Sequence, residues 1–290
     1  MERPERIKAL IELLDDPDCE VYDVVQDTLV RSGPSVLPEL ESAWEVSGLD
    51  LVQRRLEDII SAIQFNDTAQ QLMVWAQLGD GDLLQGMMLV AKLRYPDLNF
   101  ELIESKIKML CHRIWLELPV GLSPTGTVQA LSRFYFEELR FAVHPQLTAE
   151  SHHINYLLHS KKGSPVLLSL LFGQIAQQLG LPIYPVSLPR NIVLAYRRHS
   201  DPTDPTPGAT LFYISPANKG MMFGRLEVEQ LLRTEGVQPQ PEHFAPCSNS
   251  VAVLTLLQSL VFHLERLQEH EQAHRYKELL LAMSEHQPEK

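Results

Sequence analysis

Few of the side chains that could do chemistry in this chain of 290 residues stand at the spacing that chemistry needs. Cys19, Cys111 and Cys247 are far apart and form no Cys-x-x-Cys word, so neither a disulfide framework nor a thiolate zinc site is expected. Cys111 falls on an apolar helical stripe, where a thiol packs as a small hydrophobe. Cys19 and Cys247 fall in a turn and a connection. His152-His153 are adjacent, and adjacent side chains diverge on a regular element. His270 and His274 do have the i, i+4 spacing of two ligands, but without a His-Glu-x-x-His word they read as a solvated polar face. Gly79-Asp80-Gly81-Asp82 reads as a turn, and Asp15-Asp16-Pro17-Asp18 lacks the alternating ligands of a calcium loop. No metal or cofactor is expected. Two hydroxyls, Ser164 and Ser169, lie near one helix start, where a serine nucleophile would need a base beside it. Ser164 is expected to cap that helix, and Ser169 to be a packed small residue.

The elements that must position these groups are densest from Asn155 to Tyr196. Ser164-Pro165 is a helix start, with Pro165 where a missing N–H is tolerated. Leu168, Leu171, Phe172, Ile175 and Leu179 follow at helical spacing, and Gly180 supplies a left-handed stop. Two β-branched or aromatic runs, Ile183 to Val186 and Ile192 to Tyr196, flank Pro189-Arg190-Asn191. A helix over 165–179 on an antiparallel sheet of 183–187, 191–197 and 210–215 is therefore predicted, an α+β core.

Gly163-Ser164-Pro165, the apolar helix, Gln178-Leu179-Gly180-Leu181-Pro182 and Pro189-Arg190-Asn191 resemble, in that order, the SirB-type branch of the transglutaminase-like superfamily. Arg94-Tyr95-Pro96-Asp97-Leu98 and Phe134-Tyr135-Phe136-Glu137-Glu138-Leu139 extend the likeness, from about Leu83 to Leu232. Active members of that superfamily use a cysteine at a helix N-terminus, a histidine on a neighbouring strand and an aspartate on the next. The resemblance places those three roles at Pro165, Asn191 and Ser215, none of which can fill them. The family's serine after its Gly-x-Pro word is Leu167 here, and its Pro-Gly-His is Pro189-Arg190-Asn191. The three vestigial positions are expected to converge, with Ser164 and Arg190 beside them as possible binding groups. Gly163, Gly180 and Pro182 are expected to be structural.

A net charge of −12 without a basic stripe argues against a nucleic-acid grip. No apolar run reaches membrane-spanning length and the first residues are charged, so no membrane association and a cytoplasmic home are expected. Residues 1–80 read as a helical region with one unit that resembles a HEAT repeat, carried by Leu13-Leu14-Asp15-Asp16-Pro17-Asp18 and Gly33-Pro34-Ser35-Val36-Leu37-Pro38, or equally as an ordinary helical bundle. Leu56, Ile59, Ile60 and Ile63 give a further helix. The resemblance implies a transglutaminase-like core over residues 81–235. Within it Pro119 to Gly126 reads as a linker, and Arg198 to Thr210 as an exposed, mobile hairpin excursion. Residues 236–290 carry two antiparallel helices whose Glu271 to Leu280 resembles half of a tetratricopeptide unit.

Two functions are compatible with this reading. One is a non-catalytic interaction or regulatory protein, a pseudoenzyme whose partner is a protein or peptide. The other is a thiol or serine hydrolase or acyl transferase with relocated catalytic residues.

Overall fold

The structure, a computed structural model, describes residues 3–77, 81–198 and 209–285. The Arg198–Thr210 excursion and the Gly79-Asp80 turn anticipated from the sequence fall largely outside these residues. The chain divides into two compact units: residues to Gln71 with Lys92–Pro96, and Leu72–Ala91 with Asp97–Lys290.

The first unit is helical. It contains α1 (Arg3–Glu12), α2 (Cys19–Ser32), α3 (Leu37–Val46) and most of α4 (Asp50–Gln77). Leu14, Val25, Leu29, Leu40, Leu56 and Ile59 form its core. Asp18 caps α2 by accepting from the Glu20 N–H, so the helix starts one residue later. Cys19 therefore sits in the first turn of α2, exposed, and not in the turn expected from its neighbours. Arg55 on α4 donates to the carbonyls of Leu14 (2.8 Å) and Asp16 (2.6 Å), which ties down the α1–α2 connection.

The second unit is α+β, as the sequence predicts. Its early helices are α5 (Leu83–Lys92), α6 (Phe100–Glu117) and α7 (Pro124–Arg133). The linker expected to run through Gly126 is shorter, because Ser123-Pro124 starts α7. The Ser123 hydroxyl accepts from the Gly126 N–H, so that glycine belongs to a capped first turn and breaks nothing. At Phe134–Glu138 the helix widens to a π turn, with the Leu139 N–H donating to the Phe134 carbonyl. Tyr135 then stacks on Phe141 and meets Phe172 edge-on, and its hydroxyl donates to the Leu168 carbonyl at 3.1 Å.

A short parallel pair, β1 (Ala142–Val143) with β2 (Lys162–Gly163), brackets α8 (Ile154–Ser160). Next come α9 (Pro165–Gln178) and the antiparallel strands β3 (Ile183–Leu188), β4 (Asn191–Arg197), β5 (Thr210–Ser215) and β6 (Met221–Phe223) in spatial order 3-4-5-6. The sequence did not announce β6, which has only three residues. Residues Val166 to Ala176 of α9 are all buried, consistent with a helix apolar all round. It lies on β3 and β4, and a Cβ added at Gly173 would meet Leu194 at 3.2 Å.

Gly180, at φ 74°, ends α9 as predicted. Its N–H donates to the Gln177 carbonyl, and that of Leu181 to the Ala176 carbonyl, a Schellman closure. Beyond α10 (Arg225–Thr234), α11 (Asn249–Arg266) packs on α9, β3 and β4, and α12 (His270–Glu285) folds back on α11.

Candidate functional site

The start of α9 and the β3–β4 turn meet at one cavity. Ser164 accepts from the Leu167 N–H at 3.2 Å and is itself buried, so it acts as the helix cap. Pro165 and Val166 then form part of the cavity wall. Leu188 pairs with Asn191, leaving Pro189-Arg190 as a two-residue hairpin turn. Proline presets φ for the first position, while Arg190 takes φ 54° at the second, a left-handed place that usually goes to glycine or asparagine.

The cavity, of about 250 Å³, is walled by Leu147, Pro165, Pro189, Arg190, Asn191 and Glu235, with Val166, Ser259, Phe262 and His263 completing it. The Asn191 carbonyl oxygen accepts from the Ile192 N–H at 2.8 Å, which leaves the amide NH2 as the group's donor end. The Arg190 guanidinium lies over the Phe262 ring at 5.1 Å, and Arg266 lies over the same ring at 5.8 Å.

Behind the wall stands a buried polar cluster. His152 Nδ1 is 3.0 Å from the Thr148 carbonyl, which can only accept, so Nδ1 carries a proton. Its Nε2 is then the acceptor for the Ser259 hydroxyl, 3.1 Å away. His263 Nδ1 likewise faces the Ser259 carbonyl at 2.8 Å, and the two imidazoles lie 4.8 Å apart. Burial first, and the neighbouring His263 second, push the His152 pKa down to about 3.

Of the three vestigial positions, Pro165 and Asn191 line the cavity and Ser215 does not. Ser215 ends β5, pairs with Met221 and accepts from the Asn218 amide at 3.1 Å. Among the other residues singled out, Arg190 is in the wall and Ser164 lies behind it. Gly163 sits on β2, where a Cβ would meet Leu157 at 3.0 Å and the Ser151 carbonyl at 3.3 Å. The Pro182 carbonyl accepts from the Arg197 N–H.

Sequence reasoning missed Ser259, Phe262 and His263. The available signal was the polar pair Thr255 and Ser259 on a stripe of α11 that is otherwise apolar and buried. Among the described residues no three His, Cys, Asp or Glu side chains gather as a metal site, and no helix is long and apolar enough to cross a membrane. A hollow of about 360 Å³ elsewhere, between Gln129–Glu137 and Lys219-Gly220, is lined by Phe136 and Glu137 of the Phe134–Leu139 word but by none of the candidate site residues.

Sequence comparison agrees with this architecture. A UPF0162 protein of Pasteurella multocida is 29% identical over 80 residues, 27% of this chain and 30% of its own length. F-box only protein 21 of Mus musculus is 27% identical over 146 residues, 48% of this chain and 21% of its own. A UPF0162 protein of Xylella fastidiosa is 23% identical over 131 residues, 42% of this chain and 46% of its own. The chain thus spans less than half the length of each of these relatives. No solved structure matches. The profile described as "Transglutaminase-like superfamily" matches residues 101–258, from the first turn of α6 into α11, so it begins after Leu83 and the Arg94–Leu98 word and runs beyond Leu232. That is just over half of the sequence, and the chain belongs to the transglutaminase-like superfamily.

Proposed function

We propose that this protein is a non-catalytic interaction or regulatory protein of the SirB-type branch, whose transglutaminase-like core binds a partner and does not turn one over. The observation that carries this reading is the content of the cavity. At the start of α9, where the superfamily's nucleophile would stand, Pro165 offers no nucleophile, and Asn191 offers an amide in place of a base. Ser215, outside the wall, is no substitute for an orienting carboxylate. The helical region of 1–80, HEAT-like, and the tail of 236–290, tetratricopeptide-like, fit a protein or peptide partner. The net charge of −12 disfavours nucleic acid. A reducing, cytoplasmic setting fits cysteines placed without a disulfide framework.

A second reading is favoured by the Ser259–His152 contact. A hydroxyl 3.1 Å from an imidazole whose far nitrogen is held by a carbonyl is the arrangement of an activated serine. Acyl transfer there would need His152 to accept the serine proton as the hydroxyl attacks. A base whose conjugate acid has a pKa of about 3 is poorly matched to that task at neutral pH. The two readings separate with a fluorophosphonate probe on native protein. No label at Ser259 is expected. Stoichiometric labelling of Ser259, lost on denaturation and in Ser259→Ala, would establish the acyl-transfer reading instead.

A further inference from the structure

The cavity's donors and acceptors are arranged with a polarity that selects a ligand. The Asn191 amide has its oxygen engaged by the Ile192 N–H, so it presents hydrogens to the cavity. The Arg190 guanidinium, held on the Phe262 face, adds a charged fork of donors that suits a carboxylate. Ser259 is the opposite case. Its proton is committed to His152 Nε2, so its oxygen can serve the cavity only as an acceptor. A wall with donors at Arg190 and Asn191 and acceptors at Ser259 and Glu235 suits a carboxylate that carries an amide N–H beside it.

Charge and size narrow the choice. In a chain of net charge −12, Arg190 and Arg266 flank one ring at this place, which makes it a local attractor for an anion. Glu235, also in the wall, disfavours a dianion such as a phosphate group. A volume of about 250 Å³ is below the roughly 300–1,000 Å³ of sites for whole small ligands, and fits the end of a chain better than a cofactor. Arg190 sits at φ 54°, a place that glycine would occupy with less strain.

We infer that the cavity holds the free C-terminal carboxylate of a peptide, with Arg190 and the Asn191 amide on the carboxylate and the Ser259 oxygen on the terminal amide N–H. This rests on the reading of the protein as a peptide binder, but not on the absence of turnover. Capture of a chain terminus by fixed donors is a known mode of peptide recognition.

The test is fluorescence anisotropy of the full chain with a pool of N-terminally fluorescein-labelled hexapeptides bearing free C-terminal carboxylates, against the same pool amidated at the C-terminus. At least tenfold tighter binding of the carboxylate pool is expected. Arg190→Gly should lose that binding at least tenfold while its melting temperature stays the same or rises, since glycine suits the backbone. Asn191→Asp, nearly isosteric, should abolish the preference by placing a like charge against the carboxylate. Equal binding of the two pools overturns the inference and leaves the peptide-binder reading standing; no binding of either pool overturns it along with that reading. Displacement by inorganic phosphate at concentrations where acetate is inert would assign the site to phosphorylated ligands and likewise overturn it. Fluorophosphonate labelling of Ser259 bears on turnover alone, so the two failures are told apart.

Discussion

Ser259 Oγ on α11 meets Nε2 of His152, 107 residues earlier in the chain, at 3.1 Å. The bond joins the last long helix of the core to the segment before α8, and it fixes the serine proton away from the cavity. It also requires a neutral imidazole.

That requirement makes stability depend on pH. Unfolded, His152 has the ordinary histidine pKa of 6.5; folded, burial lowers it to about 3. The unfolded chain then binds the extra proton first, so the contribution is complete above about pH 6.5 and is lost as pH falls toward 3. At pH 5 the loss is about 2 kcal/mol. Urea midpoints measured at pH 7.5, 6 and 5 should fall accordingly, and His152→Gln should flatten the slope. An unchanged slope in that variant would place the acid sensitivity elsewhere.

Gly180 tests the end of α9. With φ 74° and open space around its α-carbon, the obstacle to a side chain is conformational and not steric crowding by neighbours. Gly180→Val should lower stability by about 1–2 kcal/mol, and Gly180→Asn by less, because asparagine tolerates the left-handed region. Equal melting temperatures for wild type and the valine variant would contradict the Schellman closure.

Gly220 is the contrasting case. It combines φ 76° with a neighbour, since a Cβ there would lie 2.0 Å from the Ser132 hydroxyl oxygen and 2.8 Å from its Cβ. The hydroxyl can rotate aside but the Cβ cannot. Gly220→Ala should cost about 2 kcal/mol or more, and Ser132→Gly should recover about 1 kcal/mol of it in a double-mutant cycle. Strict additivity would show that the two residues do not touch.

Cys111 should be chemically quiet. Its thiol donates to the Gln178 side chain at 3.0 Å, and burial raises its pKa to about 11. Iodoacetamide at pH 8 should modify exposed Cys19 readily and Cys111 only as fast as the fold opens. Rapid labelling of Cys111 in native protein, read by peptide mass mapping, would refute its place in the core.

The sequence was most legible where local chemistry marks both ends of an element. Ser164-Pro165 opens α9, Gly180 closes it, and the β-branched runs on either side of Pro189-Arg190 form β3 and β4 at the expected places. Ser123-Pro124 is the same signal as Ser164-Pro165, yet it was masked by the glycine and prolines around it. Asn191 was reachable only through the resemblance, which lays the family's Pro-Gly-His word on Pro189-Arg190-Asn191. Ser259 and His152 were not, because their meeting depends on how α11 seats on the core, and nothing in a one-dimensional spacing encodes that contact. The bare apolar character of α11 pointed to burial but not to what it would be buried against.

The π turn at Phe134–Glu138 holds one residue more than the same length of α-helix, so the chain leaves α7 about 100° out of phase with where it would otherwise point. That rotation is a stored insertion. Deleting one residue within 134–138 can be absorbed by tightening the turn to α geometry, at the cost of the Tyr135–Phe141 stack. The same deletion inside α9 has no slack to draw on and would turn every later buried side chain off its partner. Length variation along this chain should therefore be tolerated at the π turn before α9 and excluded from α9 itself.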